Sequence, residues 1–293
     1  MNRRHFFGAL CAGAAVIAPA TIGGIGATPR VAPIATDDVV AQLGKPPQSN
    51  AIPESQSAPS LTFQTFVPGP NSEEAIAAAL RIATGTPDIN LLCIASDIGM
   101  GKTHLARAIE NEGTRRRRFV RARFCHAAEF VDEVVRAYRQ RNFERFRSEY
   151  RPLDLLVLDD LQFLCDKDRT QQEMAAVIEE LLDAGRTVVV TTSAPPGKCD
   201  GLSDCLASVL RCGRTVTVGA PDAKTRRKIL NLKSRAYGID LPDDVARYLV
   251  RRRPRNVREM EGELKRVVAY SSFYGEELSV PLARRAVPRH CRA

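Results

Sequence analysis

The stretch from Asn90 to Ala106, NLLCIASDIGMGKTHLA, limits what this chain can become more than any other. Leu91 to Ala95 is an apolar run of the kind that forms a buried strand. A glycine-containing turn follows, and Gly101-Lys102-Thr103 opens an amphipathic helix through Leu105 and Ile109. Strand, turn and helix in that order make a phosphate-binding loop, the Walker A device. Backbone N–H groups at a helix N-terminus point at an anion, and the helix dipole adds to their pull. Lys102 then reaches the outer phosphates as a point charge, and the Thr103 hydroxyl takes a place on Mg2+. Gly99 and Gly101 let the backbone approach without a Cβ in the way. The pattern asks for Gly where Ser96 stands, and Asp97 puts a carboxylate beside the phosphates. Both departures predict weakened nucleotide binding unless Asp97 points outward.

The 293 residues suffice for one large or two modest domains. Net charge is +9 and the isoelectric point is near 9.3, which suits an anionic partner: nucleic acid or an acidic membrane surface. The eight cysteines include no C-x-x-C pair. Cys93 and Cys125 sit in strand-like runs and read as plain buried thiols. Cys199, Cys205 and Cys212 lie closer together but without a neighbouring histidine, so reduced thiols are expected rather than a metal site.

Residues 1–27 read as a targeting segment. Asn2-Arg3-Arg4-His5-Phe6-Phe7 precedes an uncharged run rich in Ala and Gly, which resembles a twin-arginine export signal with Ala18-Pro19-Ala20 as a cleavage site. A membrane tether or an upstream start codon would give the same composition, and an export signal conflicts with cytoplasmic nucleotide chemistry. Residues 28–60 are rich in Pro, Ala, Ser and Gln without periodicity and read as a linker. Order is expected from Leu61, with a helix over 71–84 capped by Asn71 or Ser72. Four arginines, Arg115 to Arg118, run into a strand over 119–124, and helices are expected over 127–139 and 143–150. Asp154-Leu-Leu-Val-Leu-Asp159-Asp160 is a second buried strand with two acids at its carboxyl end. Ligands of open α/β sheets sit beyond those ends, so the acids face the crevice of Lys102. Asp159 would hold Mg2+, and Asp160 would orient or deprotonate the attacking water. A helix over 171–184 and strands over 186–192 and 215–218 complete an alternating, parallel-sheet pattern. From Asp222 the periodicity is purely helical, over 223–237, 242–252, 256–274 and 280–287.

These residues, from about Leu61 to Val287, resemble the ATPase core of DnaA, the bacterial replication initiator of the AAA+ class, and its shorter relatives. The resemblance rests on Leu61-Thr-Phe-Gln-Thr-Phe-Val-Pro-Gly69, Gly99-Met-Gly-Lys-Thr-His-Leu105, Phe143-Glu-Arg-Phe-Arg-Ser-Glu-Tyr-Arg151, Leu155-Leu-Val-Leu-Asp-Asp-Leu-Gln-Phe-Leu164, Lys167-Asp-Arg-Thr-Gln-Gln-Glu173, Ala194-Pro-Pro-Gly197 and Arg255-Asn-Val-Arg-Glu-Met-Glu-Gly262. It implies an α/β AAA+ P-loop NTPase with a three-layer parallel sheet over 61–220, a small all-helical lid over 221–288 and a tail at 289–293. It also implies ATP or ADP with Mg2+. Gly99, Met100, Gly101, Lys102, Thr103 and His104 form the nucleotide loop, Thr103 and Asp159 serve the metal, and Asp160 is the catalytic acid of the Walker B pair. Arg258 matches the sensor-2 arginine that reaches from the lid to the nucleotide. Val135, Arg136, Lys167 and Arg169 fall where the initiators hold single-stranded DNA.

Departures from the pattern qualify this. The arginine finger aligns with Val209, with Arg211 as a nearby substitute, and the sensor-1 acid is Ser193. A finger supplied in trans contributes about a thousandfold or more in related phosphoryl transfers, so slow hydrolysis is expected. The sequence also ends at Ala293, just after the lid, so no duplex-specific helix-turn-helix is expected. The reading is an ATP-binding accessory or regulator of replication initiation that associates with other AAA+ subunits, its own copies or a full-length initiator. An active loader of a helicase or transposase, a degenerate partner module without nucleotide, and an exported or tethered protein are the alternatives.

Overall fold

A computed structural model describes residues 61–85 and 89–288. The export-like segment, the linker and the tail 289–293 lie outside the described residues. The elements run α1 (Glu73–Thr84), β1 (Leu91–Ala95), α2 (Lys102–Arg115), β2 (Ala122–His126), α3 (Ala127–Gln140), α4 (Phe143–Tyr150), β3 (Leu155–Asp159), α5 (Asp168–Asp183), β4 (Thr187–Thr192), α6 (Asp204–Arg211) and β5 (Arg214–Thr217). Four helices follow: α7 (Ala223–Ala236), α8 (Asp243–Arg251), α9 (Val257–Tyr274) and α10 (Val280–Ala286).

The five strands form one sheet in the order β2-β3-β4-β1-β5, and every pairing is parallel. Side chains alternate faces along a strand, so an all-apolar strand must be covered on both sides. Leu91 and Cys93 of β1, Leu156 and Leu158 of β3, and Val188 and Val190 of β4 pack with α3 to α6. Leu92 and Ile94, Leu155 and Val157, and Val189 pack instead with α1 and α2. The result is three layers. Fully burying a side chain of this size stabilises by about 1.5–3 kcal/mol, and the sheet presents such residues to both helix layers.

Two local expectations are corrected. The first helix starts at Glu73, and Ser72 does not cap it: its hydroxyl donates to the Gly69 carbonyl (3.0 Å) and accepts from the Gly69 N–H (3.0 Å). Asn71 is drawn away to donate to the Ala220 carbonyl. Strand β2 begins at Ala122 rather than Phe119, because the Val120 and Arg121 N–H groups donate to the Asp154 carboxylate, each at 3.0 Å. A carboxylate from the start of β3 thus converts the arginine-rich lead-in to a turn.

The four C-terminal helices enclose their own core of Leu230, Val245, Leu249, Met260, Leu264, Val267 and Leu282. Asp222 caps α7 through the Thr225 N–H (2.7 Å), and Asn256 caps α9 through the Glu259 N–H (2.7 Å). Gly275, with φ of 63°, ends α9 in a left-handed cap. Among the described residues no helix is long and apolar enough to cross a membrane.

Candidate functional site

Because the strands are parallel, their carboxyl ends share one edge of the sheet, and the chemistry-bearing residues collect there. The turn after β1 passes through Gly99 and Gly101 with φ of 76° and 106°. A Cβ on Gly101 would press on the Phe66 ring at 3.1 Å, and its positive φ favours glycine there. Ser96 is not among the positive-φ residues. Its N–H donates to the Thr192 carbonyl (3.1 Å) as a continuation of the ladder, which is why serine is accommodated where the loop pattern asks for glycine. The Asp97 side chain is exposed.

Lys102 is buried. Its Nζ donates to the carbonyls of Ser96 (2.7 Å) and Asp97 (3.3 Å). Burial pushes its pKa below the usual lysine value, against the pull of Asp160, Asp159 and Asp97. Asp159, the last residue of β3, is fully buried and accepts from the Thr103 hydroxyl at 2.9 Å and from the Thr191 hydroxyl at 2.5 Å. Asp160 takes the left-handed region, φ 60° and ψ 56°, a conformation that costs a non-glycine residue energy and tends to mark functional sites. Its N–H donates to Thr191 Oγ1 (2.9 Å), and its Oδ1 accepts from Gln162 (2.9 Å).

The lid closes on this loop. The Val257 N–H donates to the Gly99 carbonyl (3.1 Å). A Cβ on Gly99 would stand 2.8 Å from Asn256 Cγ and 3.1 Å from Arg258 Cβ. Between lid and loop lies a cleft of about 390 Å³, lined by Gly99, Met100, Gly101, Lys102, Thr103, His104, Asp160 and Arg258. Lys233 of α7 also lines it, paired with Glu261 at 3.2 Å. His104 turns its ring from the loop: Nε2 donates to the Thr62 carbonyl (2.9 Å) and the ring packs edge-on against Phe66. Burial holds its pKa below the ordinary value.

Residues 58–217 match the family described as the bacterial DnaA ATPase domain, and residues 222–287 match the Hda lid domain. The chain belongs to the bacterial DnaA ATPase domain family. The chromosomal replication initiator protein DnaA of Ralstonia nicotianae is 35% identical over 271 residues, which are 92% of this chain and 49% of that protein. The chain thus spans about half the length of the curated relatives it matches. Domain III of Thermotoga maritima DnaA superposes with a TM-score of 0.75 at 28% identity, covering 78% of this chain and 96% of that one. A replication initiator DnaA bound to AMPPCP and single-stranded DNA gives 0.66 at 32% identity, covering 74% and 67%.

Val209, which the resemblance alone aligns with an arginine finger, is 7% exposed and packs in the core on α6. Arg211, two residues on, is exposed at the end of α6. Ser193 is not among the residues lining the cleft. Val135 and Arg136 on α3, and Lys167 and Arg169 at the start of α5, are all exposed. Arg169 lies over the Tyr138 ring at 5.8 Å, which brings the two helices together as one basic and apolar surface. Cys93 and Cys125 are buried, and burial pushes their thiols up to about 12 and about 11. Thr191 and His126, both against Asp159, are site residues that sequence reasoning did not single out. Neither carries a motif; only the pairing of strands brings them there.

Proposed function

We propose that this chain is an ATP-binding module that acts as an accessory or regulator in replication initiation and is a weak ATPase at best. The observation that carries the reading is the contact of the lid with the loop: α9 begins on the Gly99 carbonyl and sets Arg258 in the same cleft as Lys102. The residues present fit a magnesium-bound triphosphate. A Cβ on Gly99 would meet Asn256 and Arg258 of the lid, and one on Gly101 the Phe66 ring; Lys102 is held on carbonyls that phosphate oxygens would replace, and the Thr103 hydroxyl rests on Asp159. Mg2+ would supply charge neutralisation at the phosphoryl oxygens. Lys102 and Arg258 would bind the phosphates, Thr103 and Asp159 would hold the metal, and Asp160 would accept the proton of the attacking water.

Slow turnover follows from Val209: a buried valine offers no cation to a neighbouring subunit's phosphates. A subunit that binds ATP yet lends no finger suits a regulatory member of an assembly with other AAA+ subunits, its own copies or an initiator. The surface of Val135, Arg136, Lys167 and Arg169 suits single-stranded DNA, with basic groups tracking the backbone and Tyr138 as a stacking face. A replication initiator of 32% identity is bound to single-stranded DNA, which supports the class of partner. Titration with labelled ATP, followed by turnover with and without single-stranded DNA, tests the proposal. Binding with turnover no faster than that of a Lys102→Ala control is expected. Brisk, DNA-stimulated turnover would overturn it in favour of a motor or loader, and no ATP affinity in favour of a degenerate partner module.

A further inference from the structure

The arginines Arg115 to Arg118, at the end of α2, take no part in the site described above. α2 carries the phosphate loop at its N-terminus, and its 14 residues put the arginines about 20 Å away, at the opposite edge of the sheet. Arg121 precedes β2, Asp154 precedes β3 and Arg186 precedes β4. The strands are parallel, so these amino ends lie together, and the arginine-rich turn shares that edge with Arg121 and Arg186.

Among the described residues, the carboxylates paired with this turn are Glu112 and Asp154, and both are already engaged. Glu112 holds Arg115 at 2.7 Å and Arg116 at 2.6 Å. Asp154 holds Arg186 and accepts the Val120 and Arg121 N–H groups. Arg118 is turned to the Phe119 ring, its guanidinium carbon 5.2 Å from the centroid. Arg117 and Arg121 are exposed and make no ion pair among the described residues. Val120 between them is 81% exposed, so nothing in the described chain packs over the turn. Arg117 also sits at φ of 58°, a left-handed conformation that glycine adopts more easily. The turn therefore presents unpaired positive charge, one part of it against the local backbone preference.

Exposed guanidinium groups suit phosphate. Single strands are gripped by bases stacked on aromatic rings as well as by charge, but the aromatic residue of this turn, Phe119, is only 3% exposed. Charge without a stacking face holds a phosphate backbone and leaves the bases unread, which suits a duplex. We propose that the turn from Arg115 to Arg121 is a sequence-independent docking surface for duplex DNA. It is separate from the single-strand surface on α3 and α5, and it is open with or without nucleotide. It does not rest on the nucleotide reading, because its test contains no ATP.

The test is fluorescence anisotropy of a short labelled duplex of arbitrary sequence with the nucleotide-free full chain, at several salt concentrations. Each phosphate contact adds about 0.9 to the slope of log affinity against log salt. Replacing both free arginines, Arg117→Gln with Arg121→Gln, should lower that slope by about 2 and weaken binding on the order of tenfold at physiological salt. Arg117→Gly removes one charge while easing the backbone, so it should lower the slope by about 1 without lowering the melting temperature. Arg136→Gln, on the single-strand surface, should leave the duplex slope unchanged. Three results would overturn the proposal: no duplex binding, even where phosphatidylserine vesicles are bound; a slope unmoved by the double substitution; or a slope lowered as much by Arg136→Gln as by Arg117→Gly.

Discussion

Replacing Gly99 by alanine separates two contributions that share one residue. Gly99 has φ of 76°, so alanine carries a backbone penalty of about 1–2 kcal/mol wherever the loop keeps its shape. That penalty is paid with or without nucleotide and shows as a lower melting temperature. The second contribution concerns the lid. The new Cβ would stand 2.8 Å from Asn256 Cγ and 3.1 Å from Arg258 Cβ, so the start of α9 must retreat by roughly half an ångström to reach ordinary contact. Retreat loosens the Val257–Gly99 hydrogen bond, worth about 1 kcal/mol, and disturbs Asn256, whose helix cap is worth about another 1 kcal/mol. If ATP is gripped by the docked lid, affinity should fall by about 2 kcal/mol, on the order of 30-fold. Titration with a fluorescent ATP analogue, beside a thermal melt, reads the two separately. A lowered melting temperature with ATP affinity within threefold of wild type would refute the argument, since the lid contact would then be no part of the grip.

Further outcomes follow from the same geometry. Lys102→Ala should weaken ATP binding on the order of a hundredfold, the worth of about 3 kcal/mol for a charge-assisted contact, with an unchanged circular dichroism spectrum. Ser96→Gly should leave ATP affinity within about twofold, because Ser96 is not in a left-handed conformation and glycine therefore relieves nothing. His104 has a folded-state pKa below its unfolded value near 6.5, so the unfolded chain binds more protons below that pH. Stability should therefore be lost as pH falls from about 6.5, and thermal melts of His104→Gln should show a shallower decline. Glu263 pairs with Arg252 at 3.0 Å inside the lid, the side chains 9% and 13% exposed. Glu263→Ala removes this charge-assisted bond while Arg252 keeps the Tyr248 hydroxyl and the Pro288 carbonyl, and should cost about 2 kcal/mol in a chemical denaturation curve.

What was legible in the sequence was whatever is set by neighbours along the chain. The strand at Leu91 and the strand at Leu155 announce themselves as apolar runs, and the phosphate loop as glycines before a helix. Residues set by partners distant in sequence were not legible. Strand β2 starts late because Asp154, more than thirty residues on, takes the N–H groups of Val120 and Arg121. Ser72 fails as a cap because Gly69 offers its hydroxyl both a donor and an acceptor. Ser96 looked like a defect because a pattern records residue types, while the requirement it stands for is a backbone angle that this position does not adopt.

The same distinction explains which residues of the proposed site could be named in advance. Lys102, Thr103, Asp159 and Asp160 belong to local motifs, and Arg258 to a recognisable context on one helix. The contact that draws Arg258 to the loop is made by main-chain atoms, the Val257 N–H and the Gly99 carbonyl, which leave no signature in composition. His126 and Thr191 reach Asp159 from flanking strands, so their place follows from strand order and register alone. A parallel sheet therefore assembles its site from residues that look ordinary one strand at a time. Those side chains, rather than the motif residues, are where this protein's chemistry can differ from that of other chains bearing the same loop.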